Sequence, residues 1–372
     1  MKNSIYLLVL ACFFASCKTD ASVEDCTNDS FNRGALLTNW ADNIIIPSYD
    51  LYVSELSVVE SASEDFIGNP DTVNLEVLRT AWMEAYNTWQ NVSIYEIGQA
   101  EISRFRDYTN TYPLEVSVVE ANISSGNYNL ELSTNIEAQG LPALDYLVNG
   151  LGVTDAEIVA KYVSDGNATN YKKYLFDVVA RLKSMATSVQ EDWKGSYRGI
   201  FISNDCSSST ASLDKLTNDM IFNLEKVTRA GKIGIPIDFF GQPPVIAPEK
   251  VEALYKQNVS KELLIASIES SQDLFNGKHL NSETEGESLK SYLNELQIEA
   301  GGKLLSIVIN DRYDAAIAQA ETLDDDFYMG IQSDRAKYKI TRDRIHSIIE
   351  VLKTNMISAL GIKADYNDSD GD

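Results

Sequence analysis

The stretch LEVLRTAWMEAYNTWQNV, residues 75–92, decides the class of the fold. Its large apolar residues recur at intervals of three and four: Leu75, Leu78, Trp82, Tyr86, Trp89 and Val92. That period places them on one face of an α-helix, which has to be buried against other helices. The same spacing returns at 171–193, 213–227 and 345–360. The sequence therefore predicts an all-α protein made of helical bundles.

Polar and helix-breaking segments divide the chain. The segment 204–210, NDCSSST, is small and polar and lies between two predicted helices, so we place a boundary between an N-terminal bundle (31–203) and a C-terminal bundle (204–366). The segment 231–248 has three glycines and four prolines together with apolar residues, which predicts a long structured loop. The acidic tail 367–372 has the composition of a disordered segment.

Local signals set the ends of some helices. Thr154 and Glu157 form a capping box at a helix start, and Gly361 is placed as a C-terminal stop. We expect Pro113 and Pro248 in the first turns of helices. No pair of strands is predicted.

The N-terminus has the pattern of an exported lipoprotein. One lysine precedes an apolar run, 5–15, that is too short to span a bilayer and fits a signal peptide over residues 1–16. Phe14-Ala15-Ser16-Cys17 resembles a bacterial lipobox, in which Cys17 becomes the lipidated N-terminus and 17–30 the tether. We expect the bacterial cell envelope, with a lipid anchor in the outer membrane on its periplasmic or surface face. A plain signal peptide cut nearby is the alternative.

Two cysteines remain once the signal is removed and Cys17 is lipidated. An exported compartment can be oxidising, so Cys26 and Cys206 are candidates for a disulfide between tether and body. The sequence leaves their separation in space open.

Charge and motifs exclude several function classes. The chain has 31 basic and 55 acidic residues and a net charge of −24, which excludes nucleic acid as a partner. It has two histidines, and the HExxH, GxSxG, P-loop and GxGxxG motifs are absent. His346 and Glu350 share a helix face, for which a solvated surface is favoured over metal chelation.

The segment 139–150, QGLPALDYLVNG, combines two helix breakers with a carboxylate on an apolar face. Gly140 and Pro142 predict a kinked helix with polar backbone exposed beside Asp145. One interpretation is a polar pocket in which Asp145 binds a cation or a donor group of a ligand. The other is structural: Gly140 packs helices closely, and Asp145 pairs with an arginine.

This segment resembles the signature of the imelysin-like family, G-x-H-x-x-E. Gly140 matches, Pro142 replaces the histidine, and Asp145 replaces the glutamate. The segment 81–98 and the step Tyr112-Pro113 also resemble that family's upstream pattern. The resemblance, over about 30–366, implies two helical bundle-like domains with a site at their junction. It further implies a link to iron uptake, and an older metallopeptidase assignment in which the histidine and glutamate hold a metal.

Only part of that site carries over. Asp145 is expected to take the carboxylate role, whereas Pro142 has no nitrogen that can ligate a metal. Glu96 ends the Trp-rich helix and is the second candidate metal ligand. Arg104 and Asp107 are candidates for ligand binding, because an arginine can clamp an acidic ligand through two hydrogen bonds. Asp238, between two apolar residues, is the candidate from the second domain.

We therefore expect a membrane-anchored lipoprotein that binds a metal ion or a small ligand at the domain junction in iron uptake. An iron or other divalent ion is the expected cofactor, and proteins of the envelope uptake machinery are the expected partners. Two alternatives stay open. One is a metallopeptidase of the imelysin type, which the loss of the histidine disfavours; the other is a non-catalytic interaction lipoprotein with a vestigial site.

Overall fold

The structure, a computed structural model, describes residues 30–364. The α-helices in chain order are α1 (Arg33–Asn39), α2 (Ile46–Gly68), α3 (Thr72–Val92), α4 (Gln99–Ser103), α5 (Phe105–Asn110), α6 (Val116–Ser125), α7 (Gly140–Asp145), α8 (Asp155–Val163), α9 (Ala168–Asp192), α10 (Arg198–Ser203), α11 (Ser212–Phe222), α12 (Ser260–Asn276), α13 (Leu289–Glu295), α14 (Leu305–Glu321), α15 (Phe327–Ser333), α16 (Arg335–Val351) and α17 (Ile357–Leu360). In this part of the chain, no helix is both long and apolar enough to cross a membrane.

Several α-helices continue into π-helical turns, in which the backbone hydrogen bond reaches one residue further. These turns are Trp40–Ile45, Tyr146–Gly150, Trp193–Tyr197, Asn223–Gly234 and Leu352–Met356. Ser133–Ala138 and Pro248–Lys250 form 3₁₀ turns. A two-residue hairpin pairs β1 (Glu299–Ala300) with β2 (Lys303–Leu304) in antiparallel register, which corrects the expectation that no strands pair. The all-α prediction is confirmed.

The helices pack in two groups that share one continuous core. In the first half α2 lies against α3 and α9, and in the second half α14 and α12 lie against one another while α16 covers α14 and the π turn Asn223–Gly234. The groups meet where α12 packs on α3. Trp40, in the π turn after α1, donates from Nε1 to the carbonyl of Leu274 in α12 at 3.1 Å, which is a second link between the groups. The boundary at 203/204 stays a prediction.

The strongest local predictions are confirmed. The stripe of 75–92 is buried on α3, which begins after Asp71, whose side chain accepts hydrogen bonds from two backbone amides of the first turn. Thr154 and Glu157 form the reciprocal capping box of α8. Gly361 ends α17 in the left-handed conformation.

The breaker-rich segments differ from their predictions. The stretch 139–150 starts a helix instead of kinking one: Gln139 is extended, and Pro142 lies in the first turn of α7, where its missing N–H needs no partner. Pro113 lies in the turn before α6 and not in its first turn, whereas Pro248 opens a 3₁₀ turn as expected. The loop predicted at 231–248 is structured, but its first four residues continue the π turn.

Several predictions fall on residues outside 30–364. They are the signal peptide 1–16, the lipidated Cys17, all of the tether 17–30 except Ser30, Cys26, the last two residues of the C-terminal bundle, and the tail 367–372. Cys206 is disulfide-bonded. Its predicted pairing with Cys26 stays a prediction.

Candidate functional site

Gly140 is the point at which two backbones touch. Its φ is +78°, and a Cβ added there would lie 2.2 Å from the carbonyl oxygen of Thr109 at the end of α5. No other residue fits both the conformation and the gap. Gly140 therefore holds the start of α7 against the end of α5, and with it the turn that carries Tyr112 and Pro113.

Asp145, five residues on, is buried and bound entirely within the chain. Its Oδ2 accepts from the backbone N–H of Tyr255 at 2.8 Å, and its Oδ1 accepts from Asn149 at 3.0 Å. The backbone N–H of Lys256 also donates to it. Burial raises the pKa of Asp145 to about 7, against these hydrogen bonds, which lower it. Asp145 thus anchors the segment around 255, and its partners are amides instead of the arginine of the structural alternative.

The anchored segment has an unusual backbone. Ala253, Gln257 and Asn258 have φ of 55°, 57° and 53°, in the left-handed region that disfavours residues with a side chain. Such a conformation persists only where surrounding contacts impose it, and the two amides held by Asp145 lie between these positions. The segment walls a cavity of about 230 Å³, which we call the Asp145 cavity, together with Pro142, Tyr112 and Pro113.

A larger cavity of about 440 Å³ lies where the two halves of the chain meet, and we call it the junction cavity. Its residues from the first half are Arg106, Asp107, Asn110, Thr111, Tyr112 and Pro113. Those from the second half are Phe222, Lys226, Val227, Gly231, Ile235 and Lys250. Three cations and one carboxylate therefore line it, in a chain whose net charge is −24.

The junction cavity shares wall residues with three smaller cavities. Tyr112 and Pro113 separate it from the Asp145 cavity. Arg106 and Phe222 separate it from a cavity of about 260 Å³ that contains Glu96, the Glu96 cavity. Ile235 and Lys250 separate it from a cavity of about 240 Å³ under the loop after residue 234, the loop cavity.

A π-helical turn forms the wall between two of these cavities. From Asn223–Gly234, Lys226, Val227 and Gly231 line the junction cavity. The positions Arg229, Ala230 and Gly234 of the same turn line the loop cavity. The wider π turn shifts the helix register, so Val227, predicted for the buried stripe of 213–227, becomes cavity wall. π-Helical turns are frequent at functional sites.

A profile of the Imelysin family (Peptidase_M75) matches residues 45–353, which contain both halves of the junction. This protein belongs to the imelysin family. Its fold is that of known family members: a crystal structure of an imelysin-like protein from Psychrobacter arcticum 273-4 superposes with a TM-score of 0.68 at 15% identity, covering 91% of this chain and 99% of that one.

Two relatives are named for regulation by iron. The crystal structure of an iron-regulated protein A precursor from Parabacteroides distasonis ATCC 8503 has a TM-score of 0.73 at 16% identity and covers 90% of this chain and 97% of that one. Iron-regulated protein A of Synechococcus elongatus is 28% identical over 86 residues, which are 22% of this chain. The match spans 24% of that protein's length.

Glu96 lies in an ion-pair network between the two halves of the imelysin fold. Arg106 donates from Nη2 to both carboxylate oxygens of Asp219 at 2.8 and 2.9 Å, and its backbone N–H donates to Glu96 at 2.9 Å. Asp219 also accepts from the backbone N–H of Glu96 at 2.6 Å. Burial is the largest cause that raises the pKa of Glu96 to about 7, while Arg106 acts to lower it.

The remaining predicted ligand-binding residues are dispersed. Arg104 is exposed and binds Asp107 through Nε and Nη2 at 2.9 and 2.6 Å, so it neither pairs with Asp145 nor lines a described cavity. Asp107 lines the junction cavity. Asp238 lines the loop cavity, where its Oδ2 accepts from the backbone N–H of Val245 at 2.6 Å and closes the loop.

The two carboxylates predicted as metal ligands do not come together. Glu96 and Asp145 line different cavities with no residue in common. Within residues 30–364, no group of three or more His, Cys, Asp or Glu side chains is placed to hold a metal ion. His346 faces Arg229, with 2.7 Å between Nδ1 and Nη1, while Glu350 lies 3.5 Å from Arg312. The predicted ligands Glu96 and Asp145 and the pair His346 and Glu350 therefore do not fit a resident metal ion, and we derive no catalytic step through one.

Sequence reasoning missed the cations of the junction cavity and the buried pair beneath it. Lys232 and Glu252, both buried, form an ion pair that Gln90 and Asn110 extend by hydrogen bonds of 3.0 and 2.7 Å. Burial lowers the pKa of Lys232, and the contact with Glu252 opposes that shift. A lysine within the breaker-rich segment 231–248 gives no local signal for this pairing.

Proposed function

We propose that this imelysin binds an anionic small ligand, foremost an anionic complex of iron, in the junction cavity. The observation that carries the proposal is the set of cations in the wall. Arg106, which is paired with Asp219, and Lys226, which lies 3.8 Å from Glu225, line the cavity together with Lys250, and Asp107 is its one carboxylate. Among the described residues, Lys250 lies within 4.0 Å of no carboxylate, so its charge is available to a ligand. A cation-lined cleft concentrates anions.

Iron enters as an inference from the relatives. Two proteins similar to this chain carry iron regulation in their names, and the family profile spans both halves of the junction. A bare ferrous or ferric ion needs oxygen or nitrogen donors grouped around it, whereas the wall of the junction cavity offers cations. A complex in which carboxylate ligands surround the iron presents negative charge outward, and that charge suits this wall.

The cavity's dimensions agree with such a ligand. A volume of about 440 Å³ lies within the range of small-molecule sites, roughly 300–1,000 Å³. Phe222, Val227 and Ile235 give the wall apolar surface between the charged groups. Apolar walls with a few placed polar groups are typical of small-ligand sites.

Calorimetric titration of the full chain in detergent tests the proposal. The titrants are ferric citrate, citrate alone and ferrous chloride. We expect saturable binding of ferric citrate that weakens as salt is added, because the attraction is electrostatic. Lys250→Gln and Lys226→Gln should each weaken it about three- to tenfold, since a hydrogen bond to a charged group contributes about 1.5–3 kcal/mol when well formed and less when solvated.

Lys172→Gln is the matched control, because this lysine on α9 lines none of the described cavities. It removes one charge at a distance from the site and should leave the affinity unchanged. Binding of ferrous chloride with no binding of ferric citrate would contradict the proposal.

We further propose that the protein acts at the envelope as a lipid-anchored carrier that passes the complex to uptake partners. The support is the apolar segment 5–15 followed by Ala15-Ser16-Cys17. Two lipid chains suffice for stable anchoring, at about 0.8 kcal/mol per buried CH₂. Cys17→Ala should move the protein from the membrane fraction to the soluble fraction. Retention of the variant in the membrane fraction would contradict the proposed lipid anchor and leave the proposed ligand site untouched.

A further inference from the structure

We propose that this protein contacts a bilayer containing anionic phospholipid through one face, which we call the docking face. It consists of the loop 239–247 and of the cations of α16 beside that loop. The docking face takes no part in the ligand site proposed for the junction cavity. It also differs from the proposed anchor at Cys17, and the two can be tested separately.

The loop of the docking face presents apolar side chains to water. Residues 239–248, FFGQPPVIAP, contain no charged side chain. Positions 240 and 242–245 are all exposed, with Phe240 at 70% and Val245 at 75%. These two side chains also border the loop cavity. A contiguous exposed apolar surface of this kind marks a site of contact with a membrane or a partner.

Hydrogen bonds hold the loop in the shape that exposes these side chains. Asp238, at φ 47°, accepts from the backbone N–H of Val245 at 2.6 Å, which closes the loop. Arg335 of α16 donates to the carbonyls of Ile237 and Asp238 at 2.7 and 3.1 Å. The loop is therefore already ordered, and it loses little conformational freedom when it enters a bilayer.

The helix that holds the loop is basic, although the protein is acidic. Within 335–351, α16 has two carboxylates and five cations: Arg335, Lys337, Lys339, Arg342 and Arg344. The net charge of the whole chain is −24. A cluster of cations on such a chain forms a local positive field, which attracts anions.

The cations and the exposed aromatic side chain are neighbours. The guanidinium carbon of Arg342 lies 3.6 Å from the ring centre of Phe239, and Nζ of Lys339 lies 5.8 Å from it. Phe239 in turn contacts Phe240 edge to face, with 5.0 Å between ring centres. The apolar loop and the basic helix therefore form one continuous surface.

Three of the five cations keep their charge free of an ion pair. Among residues 30–364, Arg335, Lys337 and Arg344 lie within 4.0 Å of no carboxylate. The other two share Asp343, at 2.9 and 3.2 Å. The docking face consequently retains positive charge after its internal pairs are counted.

An anionic bilayer matches both parts of the docking face. Phosphate groups at its surface attract lysine and arginine side chains, and the acyl boundary beneath them takes up exposed apolar ones. The Debye length at physiological salt is about 8 Å, so the negative charge elsewhere on the protein is largely screened at this face. An acidic partner protein would use the cations in the same way, but it offers no acyl chains to Phe240 and Val245.

A tryptophan in the loop reports contact with acyl chains. The four native tryptophans are at most 1% exposed, so Phe240→Trp in the full chain adds the one indole that lipid can reach. The variant is reconstituted in vesicles of phosphatidylglycerol and phosphatidylethanolamine whose acyl chains carry bromine, a contact quencher. We expect the added fluorescence to be quenched in these vesicles and the quenching to decrease at high salt. In brominated phosphatidylcholine vesicles, which carry no net charge, the quenching should be weaker.

Matched variants test the position and the charge of the docking face. Phe176→Trp places an indole at a position that is 44% exposed on α9, outside the docking face, and should not be quenched. Lys337→Gln with Arg344→Gln should lower the ratio of docked to undocked protein about 25-fold, since one basic residue near an anionic surface contributes about 1 kcal/mol, roughly fivefold. Lys172→Gln with Lys173→Gln removes equal charge from α9 and should leave the ratio unchanged. Thermal melts that coincide with the wild type establish that the variants are folded.

The proposal is overturned if Phe240→Trp is not quenched in the anionic vesicles, or if Phe176→Trp is quenched to the same extent. It is also overturned if the double variant of α16 docks as well as the double variant of α9. Sedimentation with phosphatidylcholine vesicles tests the anchor by itself. A chain that stays in solution there lacks the anchor, while quenching in the anionic vesicles still reports on the docking face.

Discussion

The carboxylate of Asp145 holds the backbone of Tyr255, with 2.8 Å between Oδ2 and the amide nitrogen. This contact joins the signature segment of the imelysin family to a strained segment 110 residues further along the chain. Asp145 is therefore the anchor that shapes the wall of its cavity, and the Glu252 side chain just before the anchored residues is part of the buried pair with Lys232.

The raised pKa of Asp145 predicts a pH-dependent stability. Between about pH 4 and pH 7 the folded protein keeps the proton on Asp145 that the unfolded chain has released, because burial raises the folded pKa to about 7. The contribution of this group to the free energy of unfolding therefore falls as pH rises, by up to about 1.4 kcal/mol per pH unit. Asp145→Asn should remove this part of the slope, while Glu96, whose pKa burial also raises to about 7, contributes a further part in both proteins.

Urea unfolding at pH 4.5, 5.5 and 6.5 measures the slope in the wild type, in Asp145→Asn and in Glu84→Gln, where an exposed carboxylate is removed. Parallel curves for the wild type and Asp145→Asn would show that the folded state does not retain the proton.

Gly140→Ala should be strongly destabilising. The new Cβ meets the carbonyl oxygen of Thr109 at 2.2 Å and the residue is held at φ +78°, so either backbone has to move. We expect a loss of about 2–4 kcal/mol in the free energy of unfolding. Gly199→Ala, on the exposed face of α10 with open space around it, should gain up to about 1 kcal/mol. Equal effects of the two substitutions would refute the close approach.

Removal of one member of the buried Lys232–Glu252 pair should cost about 3–5 kcal/mol, because the other charge stays buried without a partner. The double variant Lys232→Met with Glu252→Leu should lose less than the two single variants combined. Lys303→Ala, in an exposed pair with Asp311 at 3.1 Å, should cost under about 1 kcal/mol. Denaturant titration of the wild type, Lys232→Met, Glu252→Leu, the double variant and Lys303→Ala measures these differences. Additive effects of the two single substitutions would contradict the pairing.

Pro142→His restores the family's histidine and tests whether a metal site is latent. Both oxygens of Asp145 already accept hydrogen bonds from amides, and the one other carboxylate that lines its cavity is Glu249. We expect no stoichiometric zinc in the purified variant by elemental analysis, as in the wild type. One zinc per chain in the variant, removed by a chelator, would revive the metallopeptidase alternative.

Helices with a strict period were predictable from the sequence. The stripe on α3, the box at Thr154 and the stop at Gly361 depend on contacts within a few residues, and the sequence carries that information locally. The prediction at 139–150 failed because Gly140 and Pro142 act as helix breakers inside a helix and as helix starters at its first turn. Sequence alone does not distinguish the two positions.

The candidate site was only partly predictable. Asp107, a predicted ligand-binding residue, lines the junction cavity, and so does the step Tyr112-Pro113, which is singled out only for the family resemblance. Lys226 and Lys250 reach the cavity through the π turn and through the long-range fold. A period of 3.6 residues assigns Val227 to the core and gives no reason to place Lys226 in a cavity. Glu96 and Asp145 carry the expected charge, yet tertiary contacts place them in separate cavities.

We propose that iron reaches this imelysin inside an anionic complex and lies in the junction cavity. A crystal of the full chain soaked in ferric citrate, with anomalous diffraction recorded at the iron edge, measures the position directly. We expect one iron peak between Lys226 and Lys250, with the oxygens of citrate and no protein carboxylate as its ligands. An iron peak bonded to the carboxylate of Glu96 or Asp145 would contradict it.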